Sequence, residues 1–537
     1  MSVTITYKDI AVGADEDFSA DANDKQAFSN VGGIVNLSPK ANYGTVGELN
    51  NWLLDGSAAI FPDDTVGEDF GFWSASLSND DGVFPQPIML TLTADEYIYN
   101  SAGITLTFDE TNNVFASLVL LRWYNGDTLL SEKAFNPDMP KYFCNNRVNG
   151  YNRLEIVFLK LNMPRTFLKV YGVEFGVTRL LKGDEITKTN VINEINPLST
   201  ELSVNTFDFT LISKDEIEYV FQRKQALELR FKGVLKGLYF VENYKRTARN
   251  KYDVQAVDYI GLLDKTTFYG GMYDDYSAAD LMGEIFGAAN IPYTLSEEFS
   301  GATVTGYLPI TTCREALKQV AFAIGAVIDT TDSDKLNVFK LSDTVIHTFG
   351  SGEIFQGQNI EQSDPLTEFD LTEHSYTEDG ETVTLYKTDG NGIEENIFVE
   401  FPEPVKLNPN DAILDSNANY ALINATADTI LTGKKYTHTT KIVTKKNPLI
   451  GSSDLKNIMK IEGATLINST NSAEVLERCY NYFMKNVTVN NNIIVTDVKV
   501  GDTVEVETDY MGVITGVIES LRYNLNGNKI KAEAAIR

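Results

Sequence analysis

Cysteine and histidine are scarce in this chain of 537 residues, with three of each. They are spread widely along the sequence, at Cys144, Cys313, Cys479, His347, His374 and His438. Isolated cysteines cannot build a disulfide framework or a cysteine-based zinc site, because both need paired or closely spaced thiols. The sequence therefore predicts no bound metal and no cofactor.

Positive charge and long apolar runs are also in short supply. The chain carries 45 Lys and Arg against 75 Asp and Glu, a formal net charge of −30. Specific nucleic-acid binding needs a basic surface, so this balance argues against it. No apolar run reaches the ~18–20 residues that a membrane helix needs. The N-terminus lacks the basic and apolar regions of a secretory signal, which predicts synthesis in the cytoplasm.

Catalytic signatures are missing as well. The sequence contains no HExxH, GxxxxGKS/T, GxSxG or EF-hand pattern. Cys313 stands at a predicted helix start, a position where some cysteine peptidases lower the pKa of their nucleophile. Thr312 and Glu315 already explain that segment as a capping box, and no histidine lies in a recognisable partner motif. We interpret Cys313 as a buried small side chain and predict that the chain is not an enzyme.

The residues that are plentiful favour β structure. Aromatic residues make up 11% of the chain, and their rings pack well on pleated surfaces. The length exceeds what one core supports, so several domains are expected. We predict a mainly β, multidomain (α+β) fold, with an N-terminal jelly-roll sandwich followed by two small β-barrel modules and an α/β insert.

The N-terminal third divides into two predicted parts. Residues 1–36 are polar with weak periodicity, which predicts an extended arm or adaptor strand rather than a domain. Residues 37–178 contain short β-type runs separated by turns, with Asn125-Gly126-Asp127 as a hairpin signal. The order of WSASLSNDDGVF, GITLTFD, ASLVLLRWYNGDTLLSEKAF and YNRLEIVFLKLNMPRTFLKVYGVEFG resembles the galactose-binding-like β-sandwich.

Four further segments follow. Their patterns predict a first β-barrel module at 179–270, an α/β insert at 271–345, a β-rich middle domain at 346–479 and a second β-barrel module at 480–537. One insert helix should bury a single face, formed by Ala278, Leu281, Met282, Ile285 and Phe286. A second helix should begin at Thr312, and a third should span 472–486. Asn526-Gly527 predicts the final hairpin.

Residues 251–273, KYDVQAVDYIGLLDKTTFYGGMY, lead from a strand into an apolar turn and break at Gly270-Gly271. They are followed by SAADLMGEIFGAANIPY, by REALKQVAFAIGAVIDTTDSDKLNVFKL, and finally by VGDTVEVETDYMGVITGVIESLRYNLNGNKIKAEAAIR. The order of these pieces over 181–537 resembles the tail-tip hub proteins of tailed phages, also called tail-associated or baseplate hub proteins.

This resemblance implies a structural role in the virion, at the tail tip, after synthesis in the host cytoplasm. It implies a homotrimer in which two barrel modules per chain form a ring of six similar units, matching a sixfold tail tube to a threefold tip. The implied partners are distal tail or tail tube proteins, the tape-measure protein, and receptor-binding or fibre proteins. The hub would gate passage of DNA and the tape-measure protein, and an acidic lumen would keep DNA from sticking.

Two groups of residues are candidate contact sites. Trp73, Trp123 and Tyr124 could stack on a sugar ring with Asp127 as a hydroxyl acceptor, although the apolar runs around both tryptophans also fit core packing. The second group is a basic cluster within an acidic chain. It fits either a subunit contact or a solvated hairpin turn, and consists of Lys245, Arg246, Arg249 and Lys251.

Two other function classes stay open at this point. A carbohydrate-recognition protein would use the N-terminal sandwich and keep the rest as scaffold. A peptidoglycan hydrolase would depend on Cys313. Because the sequence ends at Arg537, directly after the last barrel segment, we expect lytic or receptor-binding activity to come from another chain.

Overall fold

The computed structural model describes residues 3–11, 13–35, 39–41, 69–214, 216–217, 220–355, 357–388, 394–450, 456–494, 498–525 and 531–537. It divides into two compact units, one of Thr6–Leu180 and one of Met1–Ile5 with Leu181–Arg537. Strands dominate both units, which confirms the predicted mainly β, multidomain fold class. No helix in the described ranges has the length and hydropathy to cross a membrane.

The N-terminal unit contains one short helix, α1 (Ala14–Asp17), among many strands. In chain order the strands are β1 (Val3–Ile10), β2 (Phe18–Ala22), β3 (Phe72–Leu77), β4 (Val83–Ala94), β5 (Tyr99–Thr107), β6 (Ala116–Asn125), β7 (Thr128–Phe135), β8 (Lys141–Tyr151), β9 (Arg153–Leu161), β10 (Phe167–Val170), β11 (Gly172–Glu174) and β12 (Gly176–Lys182).

Strands β2 to β11 form an antiparallel sandwich, of which β1 and β12 are not part. One sheet has the order β2-β4-β9-β6-β7, and the β11-β5-β8 and β10-β3 pairings supply the opposite side. Alternating apolar side chains of both sides meet in one core, for example Leu90 and Leu92 of β4 with Ile104 and Leu106 of β5. The core is therefore built as the period-two pattern of the strands requires.

Part of the segment predicted as an N-terminal arm belongs to the sandwich, which its polar sequence did not indicate. Strand β2 pairs along β4, with Phe18 opposite Ala94 and Ala22 opposite Leu90. Phe18 and Ile34 are buried in the sandwich core. The physical reason is that a few apolar residues within a polar stretch suffice to complete a sheet edge, although they give almost no periodic signal.

The C-terminal unit is longer and includes the remaining helices. Its first half runs β13 (Ile186–Glu194), β14 (Thr206–Ile212), β15 (Ala226–Phe231), β16 (Val234–Ala248), β17 (Lys251–Val257), α2 (Tyr259–Leu263), β18 (Thr267–Phe268), β19 (Gly271–Ser277), α3 (Ala278–Ala289), β20 (Tyr293–Leu295), β21 (Thr303–Leu308), β22 (Thr311–Thr312), α4 (Cys313–Ile324), β23 (Val327–Asp329) and β24 (Leu336–Phe339).

Its second half contains two long strands that pair with each other. The elements run β25 (Val345–Phe349), β26 (Asn359–Gln362), β27 (Glu368–Lys387), β28 (Glu394–Glu400), β29 (Val405–Leu407), β30 (Ile413–Ser416), β31 (Tyr420–Ala425), β32 (Ile430–Lys446), β33 (Ile458–Ile461), α5 (Ser472–Met484), β34 (Val487–Ile494), β35 (Thr503–Thr508), β36 (Gly512–Tyr523) and β37 (Lys531–Ile536). Strands β27 and β32 are the two long ones, and they pair antiparallel although four short strands lie between them in sequence. We call this pair the long hairpin. The predicted turn Asn526-Gly527 lies outside the described residues.

A single sheet joins the two ends of this unit. Its strand order includes the run β15-β16-β17-β14-β13-β36-β37-β34-β26, so strands of the first module lie directly beside those of the last. The joining pair is antiparallel, with Val191 opposite Tyr523 and Glu194 opposite Ser520. Segments more than 300 residues apart in sequence therefore close one sheet.

The insert and the middle region attach to this sheet. Helices α3 and α4 pack with the small sheet β20-β24-β23 in a core that also takes in Leu466, Ile467 and residues of α5. The long hairpin β27–β32 is flanked by β29 and β33. A separate small core lies between that hairpin and the sheet β28-β31-β30, with Phe401, Ile423 and Leu431 among its buried residues.

Candidate functional site

The structure gives Cys313 a packing role. Its side chain is fully buried, and burial raises the pKa of the thiol, which is the opposite of what a nucleophile needs. Thr312 caps the helix by accepting the Glu315 backbone N–H at 3.2 Å, as the capping pattern predicts. Among the described residues, no group of three or more His, Cys, Asp or Glu is arranged to hold a metal ion.

The two candidate tryptophans lie inside the sandwich. Trp73 and Trp123 are both fully buried. The Trp73 indole donates to the Phe70 carbonyl at 2.9 Å, and Lys169 Nζ lies 4.2 Å from the ring centroid. A buried indole face cannot stack on a sugar from solvent. The predicted sugar-stacking role of Trp73 and Trp123 is therefore contradicted. Both rings are packed in the sandwich core with the apolar side chains of their strands.

Tyr124 and Asp127 lie at the end of the β6–β7 hairpin and share one cation. The Arg153 guanidinium lies 4.3 Å from the Tyr124 ring centroid and 3.5 Å from Asp127 Oδ1. The Tyr124 hydroxyl donates to Glu155 at 3.1 Å, and burial followed by that carboxylate raises the tyrosine pKa. One face of the ring is thus covered, and the two tryptophans do not join this group.

The basic cluster forms the β16–β17 hairpin, and its members differ in role. Arg246 is tied to its own chain: its guanidinium donates to the carbonyls of Ile217 at 3.0 Å and Arg249 at 2.6 Å. It also pairs with Glu216 at 3.3 Å. Arg246 therefore fastens the neighbouring segment 213–217 to the hairpin, an internal task.

The remaining three cations of the basic cluster are Lys245, Arg249 and Lys251. The side chains of Lys245 and Arg249 are exposed and that of Lys251 is half-exposed, and within the described ranges none of them has an ion pair. Surface cations without partners on a chain of net charge −30 are free to meet an acidic surface. The sequence cluster thus divides into one structural arginine and three available charges.

A polar groove of about 650 Å³ lies beside this hairpin. It follows the solvent face of four adjacent strands, whose opposite face buries Phe207, Phe209 and Tyr252. Cross-strand registers place its side chains in two rows, which are Asn190-Asp208-Gln255-Asn243 and Thr210-Asp253-Lys245. Amides, hydroxyls, two aspartates and two lysines line the groove, so its surface is polar and its formal charges balance.

The joint between the first and last modules combines backbone pairing with charge. Beside the β13–β36 ladder, Arg522 donates to Glu194 at 2.8 Å and Ser520 donates to the same carboxylate at 3.2 Å. The Ile195 N–H donates to the Glu519 carbonyl at 2.9 Å. Side chain and backbone thus fix one register for the pairing.

Two buried carboxyl groups tie the insert to the sheet. Asp258 caps α2 by accepting the Ile260 N–H at 3.0 Å, and it accepts the Thr330 hydroxyl at 2.7 Å. Asn205 donates to Asp329 at 3.2 Å. Burial raises the pKa of Asp258 to about 7 and also raises that of Asp329. Hydroxyl and amide donors satisfy these acids, and within the described part of the chain no cation bonds to either of them.

Sequence reasoning missed this network. Asp258 precedes the apolar turn Tyr259-Ile260-Gly261, and an aspartate just before an apolar run is an N-cap signal that could have found it. Asn205 and Asp329 gave no signal, because their meeting depends on tertiary contacts between segments over 120 residues apart.

No protein-family model matches the chain, and a search of curated proteins found no match. Among solved structures, a 43 kDa tail protein of prophage MuSo2 from Shewanella oneidensis is similar with a TM-score of 0.43 and 12% identity, over 67% of this chain and 95% of that one. A tail protein from Neisseria meningitidis MC58 gives a TM-score of 0.40 and 11% identity, over 65% and 91%. Prophage tail protein gp18 from Listeria monocytogenes EGD-e gives 0.39 and 10%, over 67% and 91%. Scores below 0.5 do not establish a common fold, so the residues and contacts above carry the reasoning that follows.

Proposed function

We propose that this chain is a structural hub of a phage-type tail tip, in which three copies close a sixfold tail tube and gate the passage of DNA and the tape-measure protein. The proposal begins from the sequence order over 181–537, which resembles the hub family. The observation that carries it in the structure is the single sheet that joins the first and last strand modules.

That sheet supports the proposal for a mechanical reason. A ring component must hold two modules in a fixed mutual geometry, and a continuous ladder does so with backbone hydrogen bonds rather than with a flexible linker. The register is further fixed by Arg522 and Glu194. Edge strands that neighbouring copies cover cease to be aggregation sites, which is the second advantage of closing a ring from sheets.

Charge supports the assembly and the passage. Arg249 and Lys251 supply a basic contact that fits an acidic neighbouring copy. The polar groove beside them, which Lys245 lines, balances two lysines with two aspartates, so it offers no net basic surface to a polyanion. In this proposal the groove side faces the passage, the basic hairpin faces the next subunit, and tail tube, tape-measure and fibre proteins are the further partners.

The mass of the purified chain in solution tests the assembly. Light scattering should give about three times 59.6 kDa for the full chain. Arg249→Glu should weaken the trimer and shift the average mass toward one copy, because it reverses charge at the contact. Lys160→Glu changes an exposed side chain on strand β9 of the sandwich. It is the matched control and should leave the mass unchanged. A wild-type chain that stays at one copy, or equal behaviour of both variants, contradicts the proposal.

We further propose that the chain has no catalytic activity. The buried Cys313 and its raised thiol pKa support this. Incubation with purified peptidoglycan should release no muropeptides above buffer, and Cys313→Ala should behave as wild type. Release that disappears in Cys313→Ala would establish a hydrolase instead.

A further inference from the structure

Two of the three histidines meet across the long hairpin, outside the sites described above. His374 lies on β27 with 7% of its surface exposed, and His438 lies exposed on β32. Nδ1 of His374 is 2.9 Å from Nε2 of His438, and the two ring planes are within 7°. Tyr376 stacks on the His438 ring at 4.5 Å. The imidazoles are thus hydrogen-bonded to each other and held in place.

The proton between the rings can be assigned from the far side of His374. Its Nε2 is 2.9 Å from the Glu462 carbonyl oxygen. A carbonyl oxygen only accepts, so this nitrogen carries hydrogen, and in a neutral ring Nδ1 is then an acceptor. His438 must therefore donate through Nε2. The chain of bonds runs from His438 to His374 to the Glu462 carbonyl.

His374 thereby holds a segment that we call the strap, residues 462–471. The backbone N–H of His374 donates to the Ile467 carbonyl at 2.7 Å, so one residue binds the strap at two points. On the insert side, Asn468 donates to the Thr305 carbonyl at 2.8 Å and the Thr465 N–H donates to Gln319 of α4 at 3.2 Å. The strap then runs into α5. The strap therefore links the β27–β32 hairpin, the insert and helix α5.

We propose that His374 and His438 form an acid-sensitive latch, which fixes the strap to the β27–β32 hairpin when at most one ring is protonated and releases it when both are. The first added proton fits the arrangement, because His438 can take it on Nδ1 and still donate through Nε2. A second proton on His374 Nδ1 places two N–H groups against each other and two positive charges on adjacent rings. This device is independent of the hub assignment.

Burial lowers the pKa of His374. The hydrogen bond to the Glu462 carbonyl opposes this in part, and the charge of His438 adds a smaller lowering effect. A histidine with a lowered pKa binds its proton more weakly in the folded chain than in the unfolded one. The latch is therefore fully formed above the ordinary histidine pKa of about 6.5 and is lost as pH falls below it.

The other titratable groups around the pair are accounted for. Tyr376 and Tyr307, from β27 and β21, are in ring contact, and both have a raised pKa from burial, so neither is charged in this range. Glu373 of β27 accepts from Ser472 at the start of α5 and pairs with Lys441 of β32 at 3.3 Å. On α5, Glu477 pairs with Lys445. Glu373→Gln therefore serves as a check on the carboxylate nearest in sequence.

Hydrogen–deuterium exchange of strap peptides in the full chain tests the latch. After correction for intrinsic exchange, protection of residues 462–471 should fall at least several-fold between about pH 7 and about pH 5. His438→Gln should keep the strap protected at the lower pH, because an amide can donate to or accept from His374. His347→Gln and Glu373→Gln should behave as wild type.

Two further variants and a second readout complete the test. His374→Gln should leave the strap weakly protected at both pH values. With histidines labelled at Cε1, the His374 signal should shift at a lower pH than that of an ordinary histidine. Unchanged wild-type protection at acid pH, or a His438→Gln chain that opens as wild type does, would overturn the latch.

Discussion

The two units of this chain differ in how their cores are closed. In the sandwich, strands from residues 18–175 pair within one continuous stretch, and the core is filled by apolar side chains such as Leu90, Trp123 and Phe158. In the C-terminal unit, Val191 pairs with Tyr523, and buried acids join the first module to the insert. One unit is closed by local packing and the other by distant pairing.

The two kinds of core differ in how strictly they specify the arrangement of their segments. Apolar packing tolerates many sequences of similar volume, whereas a buried carboxyl group is tolerated only when its particular donors are in place. The C-terminal unit thus gives up some stability for a unique junction between insert and sheet. The sandwich, whose contacts are nearer in sequence, should fold without waiting for the last strands.

The largest expected effect comes from a substitution in the apolar core of the sandwich. Trp123→Ala should lower the free energy of unfolding of the sandwich by about 3–5 kcal/mol, because a fully buried indole leaves a cavity. The buried Trp73 remains and reports on this unit during urea unfolding, and no tryptophan follows residue 123 in the sequence. Leu129→Ala, at an exposed position on β7, is the control and should change it by less than about 0.5 kcal/mol.

The next effect removes a polar junction. Asp258→Ala should cost the C-terminal unit about 3 kcal/mol, because the Thr330 hydroxyl and the α2 backbone N–H groups lose a buried acceptor. Circular dichroism should record the loss, while the tryptophan transition of the sandwich stays in place. The exposed Asp274→Ala is the matched control. Equal stability of the two variants would show that the junction contributes nothing.

The pH dependence of the free energy of unfolding tests the same buried junction at Asp258. Because the Asp258 pKa is raised to about 7, its folded state holds a proton more tightly than the unfolded chain does. The contribution of this group to stability is therefore full below the ordinary aspartate pKa and is lost as pH rises toward 7, by at most about 1.4 kcal/mol per pKa unit. Asp258→Asn should remove this slope. The difference between wild type and variant isolates it from the opposite trend of His374, and parallel curves would refute it.

The comparison also explains what the sequence could predict. The buried face of α3, the Thr312 cap of α4 and the Gly126 hairpin turn depend on residues within a few positions of one another, and each is confirmed. Fold class followed from the same local patterns. The position of β2 in the sandwich was not predicted, because it depends on a partner strand about 70 residues away.

The candidate sites divide along the same line. The sequence singles out the basic hairpin as a group, yet only the fold separates the internally bound Arg246 from Lys245, Arg249 and Lys251. The apolar runs around Trp73 and Trp123 were consistent with packing, and burial decides for it. The Asp258 network and the histidine pair require knowledge of which distant segments meet, which no local pattern contains.

The smallest expected effect compares two arginines that each cover an aromatic ring, one in each unit. Arg153 lies 4.3 Å from the Tyr124 ring centroid but reaches Asp127 only at 3.5 Å, at an exposed carboxylate. Arg246 lies 5.5 Å from the Tyr252 ring centroid and donates to two backbone carbonyls. Backbone acceptors fixed by the fold cost no side-chain ordering of their own, whereas exposed ion pairs contribute about 0–1 kcal/mol.

Arg246→Ala should therefore cost about 1–1.5 kcal/mol and Arg153→Ala about 0.5 kcal/mol or less. Hydrogen exchange should localise the first loss, because the Ile217 N–H donates to the Arg249 carbonyl at 3.1 Å and should lose protection when the arginine that holds this segment is gone. Lys245→Ala, on the same hairpin, should leave that amide protected. A larger loss from Arg153→Ala than from Arg246→Ala would mean that ring contact, rather than backbone bonding, sets the value of these cations.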